Sequence, residues 1–586
     1  MKQRFKVLDD FFVRYRYRYV IGILFFLVVD ILQLIVPRLL GNMTDEFREG
    51  VLTTQGLLRY VLLIVGIAIL VAVGRYFWRM YLFGTARLLD YSLRNKFFAH
   101  LETLSADFFN KHKTGELMAH ATNDIHAVRH AFGQGIMLTI DAVFLTIATV
   151  SIMLTTIDTR LVLLGLLPLP FVALVVTGFS RVIHSRFLRV QEAFAGLTDF
   201  VQENLSGIRV VKAFVQEEAE LAKFRNSNET LVAANMHLVK MWGLFWPLVQ
   251  YLAGLSFVVV LGYGGKLVVL GDISLGDFVA FTGYLGMAVW PMMAIGWVVN
   301  TLQRGVASMD RLNMIFQVKP KITDHEDSVD IPGIEGQIEF RNLTFKYPDT
   351  ASPVLRDITL CVPCGMTLGI LGRTGSGKST LTDLLLRVYD PSPGELLIDG
   401  IDITKIPLAV LRRDIGYVPQ DNFLFSTSIG QNIGFASCEF TGEEVEHAAE
   451  LAGVKGDILG FPEGFDTLIG ERGVTLSGGQ KQRVTIARAL IKDPRILILD
   501  DCFSAVDTRT EERILRSLRD VRRGRTTILI SHRISTLKEA DEIIVLDEGQ
   551  VVEMGDHESL VAAGGLYAEI HERQLLEAEL GSDEEI

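Results

Sequence analysis

Eight residues in the second half of the chain have the types and spacing of a phosphate-binding loop. Residues 372–379 spell G-R-T-G-S-G-K-S, which fits the pattern G-x-x-x-x-G-K-[ST]. Glycines in such a loop let backbone N–H groups approach phosphate oxygens, and the N-terminus of the following helix adds positive potential. We expect Lys378 to reach the β and γ phosphates and Ser379 to hold Mg²⁺. The predicted phosphate-site residues are Gly372, Gly375, Ser376, Gly377, Lys378, Ser379 and Thr380.

A pair of carboxylates follows an apolar run farther along the chain. Residues 496–499 spell I-L-I-L, which predicts a buried strand, and Asp500 and Asp501 stand at its end. Asp500 is the natural second ligand for Mg²⁺ at a phosphate loop. Residues 367–371 predict the strand that enters the loop, and residues 379–386 predict the helix that leaves it. This strand–loop–helix context predicts a site for a Mg²⁺-bound nucleotide.

The first half of the chain carries six apolar stretches long enough to cross a bilayer, which requires about 20 residues. Hydrophobic residues make up 49% of the 586 residues and charged residues 22%. These values fit a membrane domain joined to a charged soluble domain. The first stretch is too long for a signal peptide and lacks a cleavage pattern. The predicted spans are residues 17–40, 57–82, 136–157, 161–182, 242–270 and 275–303.

Lysine and arginine are unevenly distributed between the connections of these spans. The N-terminus and the connections after the second and fourth spans are rich in them, whereas the opposite connections carry only Arg48 and Arg160. The N-terminus, both long connections and the C-terminal half are therefore predicted to be cytoplasmic, at the cell membrane. Structureless loops of about 50 residues are uncommon, so we expect projecting helices that reverse near residues 108–116 and 203–209. Docking helices are predicted at these reversals, near His112 and Gly207.

Polar residues inside predicted spans are expensive and are therefore candidates for substrate contact. Arg79 and Lys266 have the alternative of extending toward the membrane surface. In the last span, Pro291 lies among methionines and Trp290, a composition that suits either an adaptable apolar pocket or ordinary helix packing. The candidates are Asp30, Arg75, Arg79, Asp141, Lys266 and Asn300.

Composition also excludes some classes of protein and sets the domain boundaries. A net charge of −12 gives no support to nucleic-acid binding. Cys361 and Cys364 form a C-x-x-C pair, but no second pair completes a zinc site, and four cysteines are too few for a disulfide framework. The predicted parts are a membrane domain at 1–318, a polar linker at 319–335, a nucleotide-binding domain at 336–575 and an acidic tail at 576–586.

A further motif adds a second anion-binding segment. Residues 476–480 spell L-S-G-G-Q and precede K-Q-R. They resemble the signature sequence of ATP-binding cassette (ABC) proteins, in which a Ser hydroxyl and Gly amides at a helix start grip the γ-phosphate of ATP held by the opposite subunit. The resemblance assigns this role to Ser477, Gly478, Gly479 and Gln480.

Other positions match ABC motifs one by one. Tyr347 is similar to the aromatic residue that stacks on adenine, Gln420 to the glutamine that links Mg²⁺ and water to the membrane domain, and His532 to the switch histidine at the γ-phosphate. Residues 504–507 resemble the loop that crosses the dimer interface, and residues 470–473 resemble an exporter element that meets the docking helices.

Six spans followed by one cassette is the layout of an ABC exporter half-transporter, so the resemblance covers the whole chain. It implies an α-helical six-span transmembrane domain fused to an α/β P-loop ATP-binding cassette domain. It also implies ATP and Mg²⁺ as cofactors, a second half-transporter as partner, and contact with membrane lipid and hydrophobic small molecules.

The sequence departs from the family at one catalytic position. The family usually has Glu directly after the Mg²⁺-associated Asp, and this Glu orients or deprotonates the attacking water; here the residue is Asp501. Because Asp is shorter by about 1.5 Å, we expect slow hydrolysis at this chain's own phosphate loop. An intact signature beside a weakened base resembles one subunit of the heterodimeric bacterial multidrug exporters. A homodimer in which Asp501 works adequately is the alternative.

The expected function is ATP-driven export of hydrophobic or amphipathic compounds by alternating access, with Asp501, His532 and Gln420 in catalytic roles. Lipid or peptide export by a homodimer remains open within the same class. An ATP-gated channel or regulatory subunit is the alternative from a different class. Short outer loops and the lack of a long insertion between the spans and the cassette favour a pump.

Overall fold

The computed structural model describes residues 2–583 except 326, 438, 471–475, 504–510, 512, 513, 517 and 519–523. Two compact units are present. The first comprises Met1–Thr103 with Lys111–Lys319, and the second comprises Leu104–Asn110 with Pro320–Ile586.

The predicted six spans are confirmed in the first unit, whose described residues include six helices long and apolar enough to cross a membrane. Short π-helical turns join some of the individual segments within these spans. The segments before residue 320 are α1 (Asp9–Arg48), α2 (Thr54–Thr103), α3 (Ala106–Lys111), α4 (Thr114–Ala119), α5 (Ile125–His130), α6 (Ile136–Thr156), α7 (Thr159–Leu166), α8 (Leu169–Ser206), α9 (Ile208–Ala213), α10 (Glu217–Val259), α11 (Gly265–Leu270) and α12 (Leu275–Phe316).

Five of these helices are longer than a bilayer is thick, and three of them, α2, α8 and α10, run into the long polar connections. The 50 residues of α2 correspond to about 75 Å at 1.5 Å per residue. The segments α8 and α10 have 38 and 43 residues. The short helices α3 and α9 lie where the sequence predicts chain reversals. The long polar connections are therefore helical.

Side-chain caps fix two of the tight turns between spans. The Asp158 carboxylate accepts hydrogen bonds from the backbone N–H groups of Arg160 and Leu161 at the start of α7. The Ser274 hydroxyl accepts from Asp277 N–H at the start of α12, and the Asp45 carboxylate accepts from the Ser274 hydroxyl. These caps stabilise the starts of α7 and α12.

The second unit contains a mostly parallel six-stranded sheet and an antiparallel four-stranded sheet. The strand orders are β10-β9-β3-β8-β7-β6 and β2-β1-β4-β5, and within the large sheet only β10 pairs antiparallel among the described strands. The strands are β1 (Ile338–Phe345), β2 (Leu355–Val362), β3 (Thr367–Gly372), β4 (Leu396–Ile398), β5 (Ile401–Asp402), β6 (Ile415–Val418), β7 (Ile496–Asp500), β8 (Thr526–Ile530), β9 (Glu542–Asp547) and β10 (Gln550–Gly555).

Helices cover the large sheet, whose strands β3, β7 and β8 are buried along their whole length, as expected for a parallel sheet with covered faces. Two apolar clusters form the core of the unit. The described helices are α13 (Lys378–Leu385), α14 (Leu408–Asp414), α15 (Ile429–Gly434), α16 (Gly442–Leu451), α17 (Lys455–Leu459), α18 (Gly478–Leu490), α19 (Ile534–Leu537), α20 (His557–Ala563) and α21 (Leu566–Asp583). The backbone of α21 continues through most of the predicted acidic tail.

The polar segment before β1 is fixed to the α/β unit by hydrogen bonds. The fully buried guanidinium of Arg387 donates to the carbonyl oxygens of Thr323 and Ile406. The carboxylate of Asp324 accepts from the backbone N–H of Leu408 at 2.8 Å. Because Arg387 would be a buried charge without these acceptors and Asp390, this attachment is expensive to break.

Candidate nucleotide site

The phosphate loop leaves the carboxyl end of β3, and the other predicted site residues follow neighbouring strands. The parallel register aligns Asp500 of β7 with Ile530 of β8, and Ile530 with Ile370 of β3. Since parallel strands end at the same edge of a sheet, the loop, the two carboxylates and His532 meet there.

Glycine is required at three positions of the loop. Gly375 and Gly377 have φ angles of 85° and 101°, in the region that favours glycine. A Cβ atom on Gly372 would lie 2.4 Å from the carbonyl oxygen of Leu546, and one on Gly377 would lie 2.6 Å from the side chain of Leu355. The glycine spacing therefore reflects local backbone geometry as well as phosphate approach.

The loop lysine lies inside the loop. The Lys378 ammonium donates to the carbonyl oxygens of Gly372 at 2.7 Å and Arg373 at 2.9 Å. Burial lowers the pKa of Lys378, while the carboxylates of Asp500 and Asp501 oppose this shift. A buried ammonium is unfavourable without a charged partner, and a bound phosphate would be such a partner.

Two of the three predicted Mg²⁺ residues, Ser379 and Asp500, are hydrogen-bonded to each other, and the third is Gln420. The Ser379 side chain bonds the Asp500 carboxylate, and burial raises the pKa of Asp500. Asp500 is only 3% exposed. Two oxygen ligands held together at the edge of a phosphate loop fit Mg²⁺, which is usually bound by one or two protein oxygens with substrate phosphates.

A buried hydroxyl in the loop also fits an anion. The Ser376 Oγ atom has no hydrogen-bond partner among the described residues, and the side chain is 3% exposed. Buried polar atoms are nearly always satisfied, so this hydroxyl is available to a phosphate oxygen. The chain's residues therefore fit the Mg²⁺-nucleotide that the motif predicts.

Asp501 has a constrained backbone beside the loop. Its φ angle is 45°, unusual for a residue other than glycine, and its N–H donates to the carbonyl oxygen of Ile530 at 2.9 Å. Burial, and secondarily the charge of Lys378, lowers the pKa of His532. Gln420 also lies in the wall of this cavity of about 240 Å³. The lining residues are Val354, Thr374, Gly375, Gly377, Lys378, Ser379, Thr380, Gln420, Asp500, Asp501, Ile530 and His532.

Tyr347 lies at the helix after the loop and is not among the residues lining the cavity. Its hydroxyl donates to the Thr380 hydroxyl at 3.1 Å, and its ring makes an edge contact with Tyr389, with ring centroids 5.1 Å apart. Tyr389 in turn accepts a hydrogen bond from the Asn110 amide at 3.2 Å. The adenine-stacking role of Tyr347 thus stays a prediction.

The signature residues also lie apart from the cavity lining. Ser477 caps α18, and it forms a reciprocal capping box with Gln480: each side chain accepts the other residue's backbone N–H. Ser477 and Gly478 are exposed, and Gly479 is half-buried. An exposed helix start is consistent with a site completed by another chain. The interface loop at 504–507 and residues 471–473 of the exporter element lie outside the described residues.

Four residues of the C-terminal helix α21 were not predicted as part of the site. Glu569, Ile570, Arg573 and Gln574 line a second cavity, of about 690 Å³, together with Gly372 and His532. The Gln574 amide donates to the carbonyl oxygen of His532 at 2.6 Å and accepts from the Ile534 N–H at 2.9 Å. No sequence motif marks Gln574, because its role depends on a helix that returns from elsewhere in the chain.

This α/β fold with a phosphate loop, joined to six membrane helices, defines a membrane protein that uses a nucleotide. The protein family described as "ABC transporter transmembrane region" matches residues 19–292, and the family described as "ABC transporter" matches residues 355–504. The chain is 41% identical to the "Probable multidrug resistance ABC transporter ATP-binding/permease protein YheI" of Bacillus subtilis (strain 168), over 97% of each chain.

Further relatives cover the same length. The chain is 38% identical to the "Multidrug resistance-like ATP-binding protein MdlA" of Escherichia coli (strain K12), over 98% of this chain and 97% of the relative. It is 36% identical to the "ATP-dependent lipid A-core flippase" of Syntrophus aciditrophicus (strain SB), over 84% and 81%. A solved "bacterial Atm1-family ABC exporter with ATP bound" has a TM-score of 0.79 at 29% identity, over 95% of this chain and 98% of that chain.

The chain belongs to the ABC transporter family. It is a multi-pass membrane protein and an ATP-driven exporter, with the ABC exporter fold that the sequence predicts. Exporters of this kind work as dimers, and each chain here supplies one membrane domain and one ATP-binding domain.

Proposed function

We propose that the chain is one half of a heterodimeric exporter of hydrophobic or amphipathic compounds at the cell membrane, with its ATP-binding domain in the cytoplasm. The single observation that best supports a pump is the cavity lined by Lys378, Ser379 and Asp500, in a chain with six membrane helices. The names of the relatives YheI and MdlA support multidrug compounds as substrates. The lysine and arginine distribution supports the orientation.

The nucleotide cavity assigns a task to each side chain. Lys378 and the loop amides would hold the β and γ phosphates, and Ser379 and Asp500 would hold the metal ion. Mg²⁺, when bound, neutralises the charge that develops on the phosphates. Asp501 orients the attacking water, and the His532 imidazole donates a hydrogen bond toward the γ-phosphate. Gln420 senses the occupied site, and Gln574 holds His532 in position.

Closure of two cassettes then drives the spans from an inward-facing to an outward-facing state. Each nucleotide lies between one chain's phosphate loop and the other chain's Ser477–Gln480 signature. Docking helices near His112 and Gly207 carry the movement to the membrane helices. Release of substrate outward and hydrolysis of ATP reset the cycle.

The short Asp501 side chain supports the heterodimer. Because the Asp501 backbone is constrained, the length of the side chain sets the position of the carboxylate. Hydrolysis at this loop is therefore slow, and the partner's loop performs most turnover. Purification with and without a co-expressed second half-transporter tests this: robust ATPase activity from the chain alone contradicts the heterodimer.

ATP-dependent uptake of a hydrophobic dye into inside-out vesicles tests the pump. We expect uptake with ATP and no ion conductance, which distinguishes a pump from a channel. Conductance gated by ATP, without dye uptake, would support the channel instead.

Lipid export is the second candidate, because one relative is named a lipid A-core flippase. Transfer of a fluorescent phospholipid between leaflets of reconstituted vesicles distinguishes the lipid exporter from the exporter of hydrophobic compounds. Lipid transfer without dye uptake favours the lipid exporter.

A further inference from the structure

Four membrane helices place two carboxylates, one guanidinium and a tryptophan close together. Asp30 lies on α1, Arg75 on α2, Asp141 on α6 and Trp290 on α12. Both Asp141 and Arg75 are near enough to Asp30 for their charges to interact with it. α1 packs against α2, α6 and α12, and α6 also packs against α12. The four residues therefore form one intramembrane cluster.

Asp30 has one unsatisfied carboxylate oxygen inside this cluster. It is 3% exposed, and its Oδ2 atom has no hydrogen-bond partner among the described residues. Arg75 donates one hydrogen bond to the Gln33 side chain at 3.0 Å and so divides its interactions. An ionisable group buried in a membrane domain without full pairing is costly, and such groups mark functional sites. Packing alone gives no reason to keep it.

Asp141 and Trp290 provide the accessible part of the cluster. The Trp290 indole N–H donates to the Asp141 Oδ2 atom at 2.9 Å, and Asp141 is half-buried. Trp290 and Trp297 form an edge-to-face pair with ring centroids 5.7 Å apart, and they are 42% and 46% exposed in the single chain. A carboxylate beside indole faces suits a cation, because tryptophan faces attract cations most strongly among aromatic residues.

The charges within the cluster favour the same ligand. Asp30 and Asp141 together place two carboxylates beside the one guanidinium of Arg75, which leaves one excess negative charge when both carboxylates are ionised. A low-dielectric interior makes this excess expensive until a positive charge enters. The indole faces add an apolar contact surface for the organic part of a ligand.

We propose that Asp141, Trp290 and Trp297 bind organic monocations during export, while Asp30 strengthens this binding from behind through its charge. This inference rests on the proposed function and names the substrate class of that exporter. Asp141 touches the cation, and Asp30 is a positioning residue that acts through the electrostatic field. The cluster selects for charge among compounds of similar size.

The test compares a cation with an uncharged compound of similar shape. Tetraphenylphosphonium and triphenylphosphine oxide are measured for ATP-dependent uptake into vesicles that hold the assembled transporter. For Asp141→Asn, the half-saturating concentration of the cation should rise at least tenfold relative to that of the uncharged compound. For Asp30→Asn, the same ratio should rise about threefold. Asp141→Glu keeps the charge and should retain most of the preference.

Asp199→Asn is the matched control, because it removes the same charge from an exposed position of α8. It should leave both half-saturating concentrations unchanged. If Asp141→Asn leaves the ratio of the two half-saturating concentrations unchanged, the inference is overturned. This holds also if the pH dependence of uptake shifts, because a proton would then be the ligand of the cluster. Equal loss of both compounds in Asp141→Asn also overturns it, because the role would then be structural.

The wild-type protein separates the two proposals. Uptake of the uncharged compound without uptake of the cation overturns the monocation site alone. Uptake of neither compound overturns the proposed export of amphipathic compounds together with the site.

Discussion

Lengthening the Asp501 side chain by one methylene is the sharpest perturbation that the nucleotide site offers. The Asp501 backbone is fixed by its N–H bond to Ile530 at 2.9 Å and by its φ angle of 45°. The carboxylate therefore cannot advance by a backbone shift, and its reach depends on side-chain length. Asp501→Glu moves the carboxylate outward by about 1.5 Å, the length of a C–C bond. Since misplacement by about 1 Å costs about 100-fold in rate, we expect hydrolysis at this loop to rise 10- to 100-fold.

The assay must isolate this loop from the partner's. ATPase rates of the assembled transporter are measured for the wild type, Asp501→Glu, Lys378→Ala and the double variant. The rate lost on Lys378→Ala is the contribution of this chain's loop. The gain from Asp501→Glu should disappear in the double variant, because Lys378 is needed to hold the phosphates. Asp501→Asn, equal in length but uncharged, should fall below the wild type.

Two results refute this reasoning. If Asp501→Glu leaves the Lys378-dependent rate unchanged while nucleotide affinity stays constant, then Asp501 is adequate as it stands. If the rate rises equally in the double variant, then the gain comes from the partner's site. The first result removes the main argument for unequal sites and favours the homodimer, whereas the second shows that Asp501 does not act at this chain's own loop.

Three other changes test the same site. Lys378→Ala should weaken nucleotide binding at this loop by at least about tenfold, because charge-assisted hydrogen bonds contribute about 1.5–3 kcal/mol. Titration with a fluorescent nucleotide measures the affinity, and exposed Lys405→Ala is the control. Gln574→Ala removes both bonds that hold the His532–Ile534 backbone and should lower the ATPase rate about threefold or more, whereas Gln574→Glu, which keeps the acceptor, should lose less. Burial raises the pKa of Asp383 to about 6, above its ordinary 3.8, so the stability of the folded protein falls as pH rises through that interval. The Tm of Asp383→Asn should therefore rise relative to that of the wild type between pH 4.5 and 7.5. The Tm of the exposed control Asp327→Asn should not.

The linear pattern of the sequence was sufficient for the spans and for the phosphate loop. Six apolar stretches require six helices, because a backbone in lipid must satisfy its own hydrogen bonds. The G-x-x-x-x-G-K-[ST] pattern is equally local, since its glycines are needed where the backbone has positive φ angles or closely approaches a neighbour. The resemblance to ABC proteins then added Gln420 and His532, which line the nucleotide cavity, and Ser477, which lies apart from it; no local rule marks these residues.

Only the tertiary structure decided what surrounds those residues. Gln574 reaches His532 because the C-terminal helix returns to the sheet edge, and Arg387 holds the polar segment at Thr323 because both fold onto the same core. Asp30 and Asp141 are 111 positions apart in the sequence, and their charges interact only because α1 and α6 pack together. Sequence thus determined which groups the chain possesses, since residue type and local spacing are linear properties. Their partners, burial and mutual charge depend on contacts between distant segments, which exist only after folding.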